Sequence, residues 1–99
     1  MLSREQYLLK CLEEECAEIA QRVSKSLRFG PHETQPGQPL NNVSRINLEL
    51  NDLCAVIEML NSEFGYRLKQ DEKLISAKKV KIDQYYEYSA SLGIVEPRK

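Results

Sequence analysis

An all-α fold with three main helices is what this sequence predicts, and three observations carry the prediction. Apolar residues recur at helical spacing through three stretches, glycine and proline fall only between them or beyond the third, and no stretch alternates as a strand would. Each stretch also begins and ends with the residues that open and close helices.

The first helix is expected to start near residue 4, because Ser3 followed by Gln6 is a capping-box pattern. Leu8, Leu12, Ile19, Val23 and Leu27 carry it without a breaker until Gly30-Pro31. Residues 30–41 hold three prolines and two glycines, which is loop composition, and a loop of that length is commonly functional. A second helix is expected to begin around Asn42 or Ser44, either of which can cap it, and to run to Phe64, with Gly65 as its stop. Tyr66 to Gln70 form a connector. Asp71 caps a third helix, which ends at Gly93 with Pro97 beyond. The 99 residues are read as a single domain, 1–99.

The composition excludes several functional classes. A formal net charge of −1 gives no electrostatic case for nucleic acid or an anionic membrane as the main partner. No apolar run reaches the roughly 18 residues of a membrane span, and MLSREQYLLK lacks the apolar centre of a signal peptide, so a cytoplasmic protein is expected. The three cysteines, Cys11, Cys16 and Cys54, fit neither a disulfide framework nor a zinc set, and buried reduced thiols are the expectation.

Acidic residues set into apolar faces are the feature that points to chemistry. On a wheel of 100° per residue with Glu15 at zero, Leu8, Ile19 and Leu12 fall at about +20°, +40° and +60°, and Glu18 at about −60°. With Glu49 at zero, Leu60, Leu53 and Ile46 fall at about +20°, +40° and +60°, and Asp52 at about −60°. Both helices therefore place one carboxylate inside the apolar stripe and a second on its edge. Glu13, at about 160°, faces water, and Glu14, at about −100°, flanks the stripe. An unpaired buried charge costs many kcal/mol, so something cationic is expected among the inward acids. Oxygen-only ligation selects Mg²⁺, with Mn²⁺ as the second choice. The sole histidine, His32, lies in the loop, so the Glu-x-x-His pattern of a di-iron carboxylate site is missing. A chain this small with acids on its core face is expected to complete that core by oligomerising.

Lys78 and Lys81 repeat the oddity with the opposite sign. With Lys78 at zero, Leu74, Ile82, Tyr85 and Leu92 fall at about −40°, +40°, −20° and −40°, and Lys81 at about −60°. Snorkelling stems are the bland account, and a phosphate or an acid is the alternative partner for Lys78. Arg45, at about −40° on the second wheel and one turn before Glu49, is placed to reach a phosphate oxygen. Its bland reading is an exposed first-turn arginine.

Glu14-Glu15-Cys16-Ala17-Glu18, followed after a loop by Glu49-Leu50-Asn51-Asp52-Leu53, resembles the EExxE…ExxD signature of the MazG-like, all-α nucleoside triphosphate pyrophosphohydrolases. The resemblance covers residues 4–65. The third helix, with Lys78 and Lys81, is similar to that of the short stand-alone members found in phages and bacteria. What the resemblance implies is Mg²⁺ held by Glu15, Glu18, Glu49 and Asp52, and hydrolysis of a nucleotide substrate between the α and β phosphates. It further implies protomers that pair into a four-helix-bundle-like core as a homodimer or homotetramer. Lys78 is expected to neutralise the departing pyrophosphate, with Lys81 or Arg45 assisting. Asn41, Asn42, Arg45, Arg28 and Asn61 are candidates for contacts with the nucleotide. Two other readings remain open at this level: a related pyrophosphohydrolase acting on phosphoribosyl-ATP or another nucleotide, and a non-enzymatic helical interaction module whose acids pair with basic groups.

Overall fold

A computed structural model describes residues 1–99 and contains three α-helices and no strand: α1 (Arg4–Phe29), α2 (Asn42–Phe64) and α3 (Glu72–Ser91). The chain divides into two compact units, Met1–Leu68 and Lys69–Lys99. No helix is long and apolar enough to cross a membrane.

In the first unit the start of α1 and the end of α2 are closed by the expected residues, while α2 is capped by Asn41, one residue before the earlier of the expected caps, Asn42 and Ser44. The Ser3 hydroxyl accepts from the Gln6 N–H at 3.1 Å, while the Ser3 N–H donates back to the Gln6 side chain at 3.0 Å. Two of the orphan donors at the start of α1 are thereby satisfied. Asn41 caps α2, its side-chain oxygen accepting from the Ser44 N–H at 2.8 Å. Gly65 ends α2 at φ 67°, and its N–H donates to the Asn61 carbonyl at 3.0 Å. A side chain at Gly65 would meet no neighbour, so a substitution there costs only the left-handed backbone, roughly 1 kcal/mol.

α1 and α2 form an antiparallel hairpin. The start of α1 meets the end of α2, where Arg4 donates twice to Glu63 at 3.1 and 3.2 Å and the Tyr66 hydroxyl donates to Glu5 at 2.6 Å. Leu8, Val56 and Leu60 are buried at this end, with Cys11, Leu12 and Tyr66 packed around them. Further along, the facing positions are Glu15, Glu18, Glu49 and Asp52, so the apolar seam gives way to acid. The link between the helices is tied down by Asn42, which is 2% exposed. Its amide donates to the Gly30 carbonyl at 2.8 Å and to Glu33 at 3.0 Å. Its N–H also donates to the Glu33 carbonyl at 3.1 Å.

In the second unit, the Asp71 carboxylate caps α3 by accepting from the N–H groups of Lys73 and Leu74 at 3.0 and 3.1 Å. The tail beyond Gly93 returns along α3: the Tyr86 hydroxyl donates to the Glu96 carbonyl, and Arg98 pairs with Asp83 at 3.0 Å. α3 buries no residue. The apolar positions that share a face with Lys78 and Lys81 (Leu74, Ile82, Tyr85 and Leu92) are all exposed, as are both lysines.

The cysteines depart from expectation. All are free thiols, but Cys16 and Cys54 are exposed and only Cys11 is half-buried. A two-helix hairpin has room to bury one narrow seam, and Cys16 and Cys54 lie off it.

Candidate metal centre

Three of the four predicted acids converge. Glu15 and Glu18 from α1 and Glu49 from α2 each offer a carboxylate oxygen, and these oxygens lie within 4.8 Å of one another. The i,i+3 spacing stacks the α1 pair on one face, and antiparallel packing brings α2 across from it at the same height. Mg²⁺ takes oxygens at about 2.0–2.1 Å and Ca²⁺ at about 2.3–2.6 Å, so oxygens facing each other across one ion stand about 4–5 Å apart. The spread of the three is of that size.

One oxygen of Glu15 and one of Glu49, Oε2 in each case, are buried without a hydrogen-bond partner. An unsatisfied buried acceptor costs about 1–3 kcal/mol, and more when it is charged. Two such oxygens, on glutamates of different helices that share one cluster, fit a hard cation, whose binding would satisfy both. Glu18 and Asp52 are exposed, giving the cluster an open side.

The local field agrees with this geometry. The Glu15 carboxyl is raised above the ordinary carboxylate range by burial first, then by the charges of Asp52, Glu49 and Glu14. Glu49 is raised by the adjoining Glu18 carboxyl first, next by burial and by the charges of Glu18 and Asp52. Only Arg22 acts on it in the opposite sense. Asp52 lies outside the converging group but close enough to bear on both of these half-buried glutamates.

Arg22 is the member of the site that sequence reasoning missed. Its Nε stands 3.8 Å from Glu49 Oε1, with the two side chains 19% and 15% exposed. The signal was available: seven residues beyond Glu15, Arg22 falls at about −20° on the same wheel, between Glu15 and Glu18.

The remaining predicted residues occupy varied positions. Arg45 donates to the Gln38 side chain at 2.7 Å. With Gln38, Pro39, Leu40, Leu48 and Glu49 it lines a cleft of about 200 Å³, so it does border the acid cluster. The Asn61 amide is committed to the backbone, accepting from the Leu68 N–H and donating to the Leu68 carbonyl, each at 2.8 Å. That clamp holds the turn in which Arg67 adopts φ 58°. Arg28 is exposed, its guanidinium 4.8 Å from the Phe29 ring centre. At 1.5 Å per residue it lies about 15 Å along α1 from Glu18. Asn41 and Asn42 serve as cap and loop tie. His32 is exposed in the loop. Lys78 and Lys81 stand on α3 in the other unit.

No protein-family model matches this chain, and comparison with curated proteins and with solved structures gave no match.

Proposed function

We propose that Glu15, Glu18 and Glu49, with Asp52 at the rim, hold Mg²⁺ or Mn²⁺, and that the protein is a MazG-like nucleoside triphosphate pyrophosphohydrolase. The observation that carries this reading is the pair of unpartnered buried oxygens, Glu15 Oε2 and Glu49 Oε2, contributed by two helices to one oxygen-only cluster. The reaction class comes from the EExxE…ExxD resemblance, three of whose four ligand positions, Glu15, Glu18 and Glu49, coincide with that cluster. Bound divalent ions would supply charge neutralisation for the phosphate oxygens and a lowered proton affinity for the attacking water.

The chain's own groups do the rest. Glu15 and Glu49 fix the site from opposite helices, while Glu18 and Asp52 face the open side from which a nucleotide enters. One of these glutamates takes the proton of the water that attacks phosphorus, in line with the departing pyrophosphate oxygen. Arg45, beside Glu49 in the adjoining cleft, is assigned to a phosphate or sugar oxygen.

The hairpin also supports association into a homodimer or homotetramer. In the first unit Leu27 is 84%, Leu48 52% and Leu50 48% exposed. Pairing two such hairpins would build a four-helix core from helices that alone cover only one seam.

The test is release of pyrophosphate from a panel of ribo- and deoxyribonucleoside triphosphates, with phosphoribosyl-ATP as a further arm. Turnover of at least one substrate in Mg²⁺ is expected, and loss in Glu49→Gln should exceed the about 10–100-fold typical of removing an outer-shell partner of a metal. Wild-type protein that releases no pyrophosphate from any of them, or a fully active Glu49→Gln, would contradict the assignment.

A further inference from the structure

We propose that Arg22 is the phosphate anchor of this site, a role that rests on the metal-dependent reading above. Its side chain is four-fifths shielded, yet it approaches Glu49 through Nε alone, at 3.8 Å, beyond hydrogen-bonding distance. An arginine committed to a carboxylate closes to about 2.7–2.9 Å and commonly engages both oxygens. Glu49 Oε2, the oxygen that a forked contact would use, has no partner. Arg22 is therefore held at the cluster by charge without being locked into it.

Charge balance gives the reason for such an arrangement. Glu15, Glu18, Glu49 and Asp52 carry four negative charges, which two divalent ions would cancel. The guanidinium of Arg22 is then the uncompensated charge at the cluster, one turn along α1 from Glu18. Its planar set of N–H donors matches phosphate oxygens. The ligand class it selects is a polyphosphate bearing divalent metal, whose negative oxygens provide what Glu49 no longer can once it coordinates.

The alternative role, a plain counter-ion that positions Glu49, predicts different behaviour. Full-length wild-type protein, Arg22→Gln and Arg22→Lys are compared in two titrations: Mn²⁺ alone, followed by its paramagnetic resonance signal, and inorganic tripolyphosphate at saturating Mg²⁺, followed by calorimetry. Helical content by circular dichroism confirms that each variant folds. For an anchor, Arg22→Gln binds Mn²⁺ as well as or better than wild type and binds tripolyphosphate about tenfold or more weakly. Arg22→Lys, retaining the charge but not the fork, falls between. Tripolyphosphate bound equally by wild type and Arg22→Gln would overturn the anchor, as would a parallel loss of Mn²⁺ affinity. Wild-type protein that binds no Mn²⁺ would overturn the metal-dependent reading itself, and the anchor with it.

Discussion

The two halves of the α1–α2 seam are built on opposite terms. At one end Leu8, Val56 and Leu60 are buried together, and the polar groups around them are paired: Arg4 with Glu63, Tyr66 with Glu5. Further along, the same helices turn Glu15 and Glu49 inward, each with an oxygen that nothing satisfies. The first half stabilises the hairpin through its own contacts. The second half destabilises it as a bare protein, and becomes favourable when a cation neutralises the acids. Natural chains tolerate such local costs chiefly where they serve a site.

Substitutions in the two halves should consequently differ in sign. Leu60→Ala, at a position with 0% exposure, removes the centre of the apolar end and is expected to cost about 2–5 kcal/mol in denaturant unfolding. Its m-value should be unchanged. The double variant Glu15→Gln/Glu49→Gln should move the other way in chelator, raising the melting midpoint, because it removes like-charge repulsion and the burial of two charges. A lower midpoint for the double variant would place those acids in the supporting framework.

A smaller effect of the same origin is expected with pH. Folded-state values of Glu15 and Glu49 are raised, so the folded protein binds more protons than the unfolded chain between the ordinary carboxylate range and those raised values. The contribution of these two groups to stability is therefore greatest below the ordinary range and is lost as pH rises through the raised values. In chelator, the difference in midpoint between wild type and the double variant should widen from acid to neutral pH, and excess Mg²⁺ should close it. Protons and metal compete for the same oxygens, so metal affinity falls as the solution is acidified. A pH-independent difference would contradict the assigned field.

What the sequence discloses about this molecule is uneven, for physical reasons. Helix ends are legible to within a residue because capping is local: Ser3 with Gln6, Gly65 with Asn61, and Asp71 with Leu74 all lie within one turn, as does Asn41 with Ser44, one residue before the expected cap. The inward acids are legible because the helical period fixes their face. Asn61 looked available for a ligand, but its amide is taken by Leu68 after the chain reverses at Gly65, an outcome set by loop geometry that no periodicity reports. Asn42 is similar, with its partners Gly30 and Glu33 back across the loop. Arg22 escaped because a basic residue on a helix reads as solvated until the opposing helix supplies Glu49. Exposure of the apolar positions on α3 was not legible either, since a period identifies a face but not what covers it.

The most direct test of the central claim, that these carboxylates converge around a cation, is the unfolding midpoint of the wild-type chain at neutral pH as a function of Mg²⁺ or Mn²⁺. A ligand that binds only the folded state stabilises it by about 1.4 kcal/mol for each tenfold rise in concentration above its dissociation constant. The account predicts that continuing rise in wild type and its loss in Glu15→Gln/Glu49→Gln. A wild-type midpoint that stays level up to about 10 mM of either metal, where even a millimolar site would register, would contradict it.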